Sequence, residues 1–155
     1  MKKLLGIILV GLLIIGLTAC GSNNKNAQQY STPEEAIENS LGLYGKDRGI
    51  GVVNIKQNQS KYIVTYNLQP TSQKNFLIDV GLIISEGMKK IYKSNNKVDY
   101  INFIINEPFK DDYGNVTWKS VLSFGVDRNL YNKINWDNFD KRYLLKVVYD
   151  IKTLN

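Results

Sequence analysis

A chain of 155 residues with no histidine and a single cysteine lacks an imidazole base, any Ser-His or Cys-His pair and any intramolecular disulfide. Its formal charge of +6 comes from basic residues dispersed among acids, which is not the clustered footprint of a nucleic-acid binder. With neither imidazole nor a spare thiolate, no metal or other cofactor is expected.

Met1, Lys2 and Lys3 open the chain with positive charge, and residues 4–17 form an uncharged apolar run broken only by glycines. That run falls short of the roughly 20 residues a helix needs to span a ~30 Å hydrocarbon core. A charged start, a short apolar stretch and then small residues make residues 1–19 a signal peptide. Leu17-Thr18-Ala19-Cys20 resembles the bacterial lipobox, in which small residues precede an invariant cysteine. The resemblance implies that the Cys20 thiol receives a diacylglyceryl group, with acyl chains of the palmitate kind, and that a dedicated peptidase cuts just before it. The alternative is an ordinary signal peptide cut at Ala19, which would leave Cys20 as an exported free thiol open to oxidation.

Two acyl chains make a stable anchor, because each buried CH₂ contributes roughly 0.8 kcal/mol and one chain holds only marginally. Residues 20–31 are therefore read as the lipidated N-terminus and a polar, flexible tether, and 32–155 as a single domain. Loss of Lys2 and Lys3 on cleavage lowers the formal charge from +6 to +4, enough to favour residence near anionic lipid.

Thr32-Pro33-Glu34-Glu35 starts a helix, with Thr32 as cap, Pro33 in the first turn and Glu35 as the capping-box carboxylate. Ala36, Ile37, Ser40, Leu41 and Tyr44 follow at helical spacing, and Gly45 is placed to end it. Residues 50–57 and 61–68 are rich in β-branched and aromatic side chains around the polar Asn58-Gln59-Ser60, which reads as a hairpin. Tyr62, Val64, Tyr66 and Leu68 share one of its faces. Phe76, Val80, Ile83, Ile84, Gly87, Met88 and Ile91 recur at three- and four-residue steps, predicting an amphipathic helix over 75–93 with lysines gathered at its C-terminal end.

Residues 98–105 and 116–126 form a second predicted hairpin around Asp111-Asp112-Tyr113-Gly114-Asn115. Residues 134–139 read as an aromatic-pinned loop. Residues 141–152 carry both helical spacing and strand composition, with strand preferred. The sum is an α+β fold: an antiparallel sheet of four to five strands with two helices on one face. Cystatin-like folds and the nuclear-transport-factor-like cone are analogies for it.

Candidate chemistry is sparse. Asp111, Asp112 and Asn115 carry oxygen ligands suited to a hard cation, but the spacing is not that of an EF-hand and hairpin turns use the same residues. Asp137, Asn138 and Asp140 are read as caps and loop groups. Among the aromatics Trp118 is assigned to packing, whereas Trp136, Phe139 and Tyr113 are candidate binding residues.

Tyr113-Gly114-Asn115 and Lys133-Ile134-Asn135-Trp136-Asp137-Asn138-Phe139 resemble a pattern in small lipoproteins of Gram-positive bacteria, over residues 77–140. No activity is assigned to that family, so no functional residue carries over from it. The expected function is a non-enzymatic binding or accessory module on the outer face of the cell membrane. Membrane lipid would be its anchor, and an envelope protein or peptide its partner. The alternatives are an envelope hydrolase using carboxylates and a binder of a small apolar ligand held between helix 75–93 and the sheet.

Overall fold

The computed structural model of the chain describes residues 30–42 and 50–154. Helix α1 spans Pro33–Leu41 and opens as its sequence dictates, with the Thr32 hydroxyl accepting from Glu35 N at 3.1 Å. The Glu35 carboxylate reaches back to Ser31, one residue beyond the expected partner, and accepts from its amide and its hydroxyl. Gly42, at φ 74°, follows the last helical residue, so the helix ends earlier than expected. A left-handed backbone there costs glycine nothing. Tyr44 and Gly45 lie outside the described residues.

Strands β1 (Gly51–Asn58) and β2 (Lys61–Asn67) form the first hairpin, and β3 (Tyr100–Lys110) and β4 (Val116–Asp127) the second. Helix α2 (Phe76–Ser94) joins them, and β5 (Tyr149–Thr153) completes a sheet of order β1-β2-β3-β4-β5. The class is the expected α+β with α1 and α2 against one sheet face, but the expected all-antiparallel order fails at one pair. β2 and β3 run parallel, with Tyr62 opposite Ile101 and Tyr66 opposite Ile105. The cause is α2 itself, since a helical crossover returns the chain to the same end of the sheet, where a tight hairpin would reverse it.

Alternation decides what is buried. Tyr62, Val64 and Tyr66 of β2, Ile101, Phe103 and Ile105 of β3, and Leu122, Phe124 and Val126 of β4 meet Val80, Ile84, Met88 and Ile91 of α2 in one core. Each such side chain contributes roughly 1.5–3 kcal/mol on full burial. Two glycines set the spacing within the helical layer. A Cβ on Gly81 would lie 2.6 Å from the Lys141 carbonyl oxygen, and one on Gly87 would collide with the Leu41 side chain. Thus α1 and the 3₁₀ segment Lys141–Lys146 both approach α2 closely.

The chain after β4 differs most from expectation. Asp127 ends β4 and at once caps a further helix, α3 (Arg128–Lys133), accepting from Leu130 N at 2.6 Å. Residues 141–152, expected as strand, divide into the 3₁₀ segment and β5, so each of the two periodicities in that stretch has its own half. The Arg128 side chain donates to the carbonyl oxygens of Tyr92 (3.1 Å), Asn95 (2.6 Å) and Val98 (2.9 Å), covering the C-terminal end of α2. Tyr92 in turn donates from its hydroxyl to Val126 O at 3.1 Å. Both outer strands are irregular: β1 slips register between Val52 and Asn54, and β5 carries Asp150 at φ 52°.

Candidate functional site

Cys20, with the signal peptide and residues 20–29 of the tether, lies outside the described residues. Among those described, no helix is long and apolar enough to cross a membrane. Trp136 and Phe139 are half-buried in a run of rings, Tyr92–Tyr131 at 5.4 Å, Tyr131–Trp136 at 5.5 Å and Trp136–Phe139 at 6.0 Å. The indole N–H of Trp136 is already spent on Tyr131 O at 3.0 Å. Tyr113 is 92 % exposed at the tip of the β3–β4 hairpin. The ten residue steps of β3 between that tip and α3 span roughly 30 Å at a strand's rise, so the structure does not bring these three aromatics together. Trp136 and Phe139 pin the loop after α3 to the core.

The acidic candidates also have local duties. Asp111 accepts from Tyr113 N and Asn115 N at 2.9 and 2.7 Å and from the Asn115 amide at 2.9 Å. These bonds, the Asn115 side chain's first, hold its carboxyl below the usual range. Asp140 caps the 3₁₀ segment and pairs with Arg142 at 2.6 Å. Asp112 and Asp137 are exposed, one on the hairpin tip and the other in the loop before the 3₁₀ segment. Among the described residues no three acidic or cysteine side chains gather where they could hold a metal.

What the fold does bring together lies elsewhere. A half-open cleft of about 490 Å³ sits between α1, the middle of α2 and the C-terminal half of β2. This is the size of a pocket for a small organic molecule. Leu41, Leu68, Leu82 and Ile83 give it apolar walls, and Ile50 borders it where β1 begins. On one side Leu41 of α1 sits against Gly87 of α2, and on the other Leu68 and Gln69 follow the end of β2.

Its polar groups are few and underused. Ser40, 6 % exposed, lines the cleft with a buried hydroxyl that has no hydrogen-bond partner among the described residues. A helical serine ordinarily bonds back to the carbonyl four residues earlier, so this one is unusual. An orphaned buried hydroxyl costs about 1–3 kcal/mol. Among the described residues Ser40 is the only such group in the cleft, and Ser85, Glu107 and Arg128 each leave one buried atom unpartnered away from it. Tyr66 also lines the cleft, and its hydroxyl makes no hydrogen bond among the described residues. Burial pushes its pKa up, so the phenol stays protonated and able to donate.

At the mouth, Glu86 bonds to Lys141, and that bond holds its carboxyl below the usual range, assisted by the charges of Lys89 and Lys90. Lys90 itself is exposed, lines the cleft and forms no salt bridge among the described residues. Three cations thus surround one carboxylate. No hydrogen bond joins Ser40, Tyr66 and Lys90 to one another, so the serine has no base in reach of its proton. The arrangement suits holding a molecule that is apolar along its length and offers hydrogen-bond acceptors.

Fold and cleft together define a small α+β domain with a ligand-sized opening under its principal helix. Neither protein-family models, curated proteins nor solved structures give a match to this chain.

In the sequence Ser40 falls at helical spacing with Ala36, Ile37 and Leu41, and Tyr66 shares a strand face with Tyr62, Val64 and Leu68, which does not separate lining from packing. The one available signal was a serine among Ala36, Ile37 and Leu41 on the apolar side of a helix. A hydroxyl in such a position needs an explanation.

Proposed function

We propose that the protein is a membrane-anchored extracytoplasmic lipoprotein whose folded domain is a non-enzymatic binding module for a small, largely apolar molecule. The observation carrying the binding half is the cleft beneath α2, with apolar walls and a buried, unpartnered Ser40 hydroxyl. The anchoring half rests on the lipobox at Leu17–Cys20. A tethered module of this kind would capture its ligand at the membrane surface without transforming it.

Two measurements test the two halves separately. Cys20→Ala should abolish metabolic labelling with radioactive palmitate and release or misprocess the protein; a variant that stays labelled and membrane-bound overturns the anchor. Native mass spectrometry of the intact protein should find a small molecule carried through purification, or added afterwards, that is lost when Leu82 is changed to Trp to fill the cleft. Retention of that molecule by the filled variant overturns the cleft as its site.

A second reading, in which an envelope protein or peptide docks on the domain, is favoured by the sheet face turned away from the helices. There Ile63 is exposed beside a polar row in which Asn106 donates to Asn67 at 2.8 Å and accepts from Ser120 at 2.7 Å. Substituting Ile63 by Lys should abolish such a partner's co-purification and leave cleft binding intact.

A further inference from the structure

We infer that the cleft selects amphipathic organic anions. An apolar body would lie against Leu41, Leu68, Leu82 and Ile83, a neutral acceptor would meet the Ser40 and Tyr66 hydroxyls, and negative charge would be drawn to Lys90 at the mouth. This rests on the binding-module reading and goes beyond it by fixing the charge and polarity of the ligand.

Among the described residues Glu86 is the one acid lining the cleft, and Lys141 already neutralises it. Lys89 and Lys90 are within electrostatic reach of the same carboxylate, so the mouth carries surplus positive charge. A cationic ligand would be repelled there, and a neutral one would gain nothing from it. An anion would, because cations bordering a low-dielectric wall act on charge more strongly than they do in free solvent.

The interior adds the second requirement. Ser40 is more than nine-tenths buried and unpartnered, and Tyr66 faces the same space with a protonated phenol. Tyr66 can donate directly to a carbonyl, ether or hydroxyl oxygen part-way along the ligand, and the Ser40 hydroxyl, closed off in the structure as it stands, joins it once its side chain turns towards the cleft. A purely hydrocarbon body would leave the Ser40 hydroxyl orphaned. At about 490 Å³ the opening admits a single chain or a small ring system, so an acid of that size is the ligand class: a carboxylate or phosphate monoester with an aliphatic or aryl body interrupted by one oxygen.

Three photoreactive probes test this on the full-length protein in nanodiscs of zwitterionic lipid. They share one ether-containing alkyl-diazirine body and end in a carboxylate, a primary amide or a trimethylammonium group. Labelling of the peptides bearing Leu41 and Leu82-Ile83 is read by mass spectrometry as a fraction of all labelling on the chain. The carboxylate should exceed the amide by about fivefold, the upper range for one partly exposed ion pair, and the ammonium should fall below both. Lys90→Gln should bring the carboxylate down to the amide, and Lys90→Glu should reverse the preference. Lys90 is exposed and makes no structural bond among the described residues, so these variants should fold, with unchanged thermal melting as the check. Ser40→Ala combined with Tyr66→Phe should reduce all three probes together. If the three label the cleft equally, or Lys90→Gln changes nothing, anion selection is wrong while the cleft remains a binding site. If none labels the cleft above the rest of the chain, the binding reading falls and this inference with it.

Discussion

At the C-terminal end of α2 the Arg128 guanidinium donates to three backbone carbonyls and stacks over Tyr92 at 5.1 Å, and the Tyr92 hydroxyl is bonded to Val126. Beside the middle of the same helix the buried Ser40 hydroxyl keeps no partner among the described residues. The first region spends nearly all its hydrogen-bonding capacity on closing the fold. The second withholds it at a cost in stability. Proteins tolerate such a cost mainly where a site needs groups ready for something else. The contrast, more than the cleft's size, supports reading the first region as structural and the second as the proposed binding site.

The contrast can be broken most forcefully at Arg128. Arg128→Ala should destabilise the domain by roughly 3 kcal/mol, because it strips carbonyls of charge-assisted bonds and leaves the end of α2 uncapped. Urea denaturation reads this, and Arg128→Lys should recover only part of it, since an ammonium cannot serve three carbonyls as a planar fork does. A loss below about 0.5 kcal/mol, the range of an ordinary surface change, would mean that this end is not the structural one.

Ser40→Ala should have the opposite sign. Removing a buried hydroxyl that bonds nothing should leave stability unchanged or raise it by up to about 1 kcal/mol, while ligand retention weakens. Destabilisation by this change would show that the hydroxyl belongs to the fold.

The smallest effect at neutral pH separates the two tyrosines. Burial raises the pKa of both Tyr92 and Tyr66, the former far more, with the Arg128 charge opposing it in part. A raised folded-state pKa adds stability that is fully present below the unfolded tyrosine's value of about 10 and is lost as pH rises through the folded value. Urea midpoints should therefore be flat near neutrality and fall above about pH 10. Tyr92→Phe should flatten that alkaline fall more than Tyr66→Phe does. Equal flattening would place the two residues in equivalent environments.

Most of the fold was legible because local rules and the global answer agree. The Thr32–Glu35 cap, the period-two faces of β2 and β3, and the three-and-four spacing of α2 each specify one element. Strand direction was not legible: the composition of β2 and β3 is the same whether they pair parallel or antiparallel, and only the docking of α2 decides. Helix α3 was hidden because Asp127 serves β4 and caps the helix with no breaker between them. Residues 141–152 misled because two short elements of different period abut there.

The candidate site was less legible than the fold. Ser40, Tyr66 and Lys90 come from α1, β2 and α2, and nothing in their local sequence distinguishes packing from lining. Trp136 is an aromatic in a loop, yet its ring and its N–H are both engaged by neighbours a few residues away.

The irregular outer strands have a consequence for copies crowded on a surface. An open sheet ends in rows of unpaired amides and carbonyls, and a straight edge invites another chain to add itself as the next strand. Here β1 breaks step between Val52 and Asn54, and β5 is short and kinked at Asp150. Neither edge offers a long, flat template, so copies brought to high local density are discouraged from zipping edge to edge into aggregates.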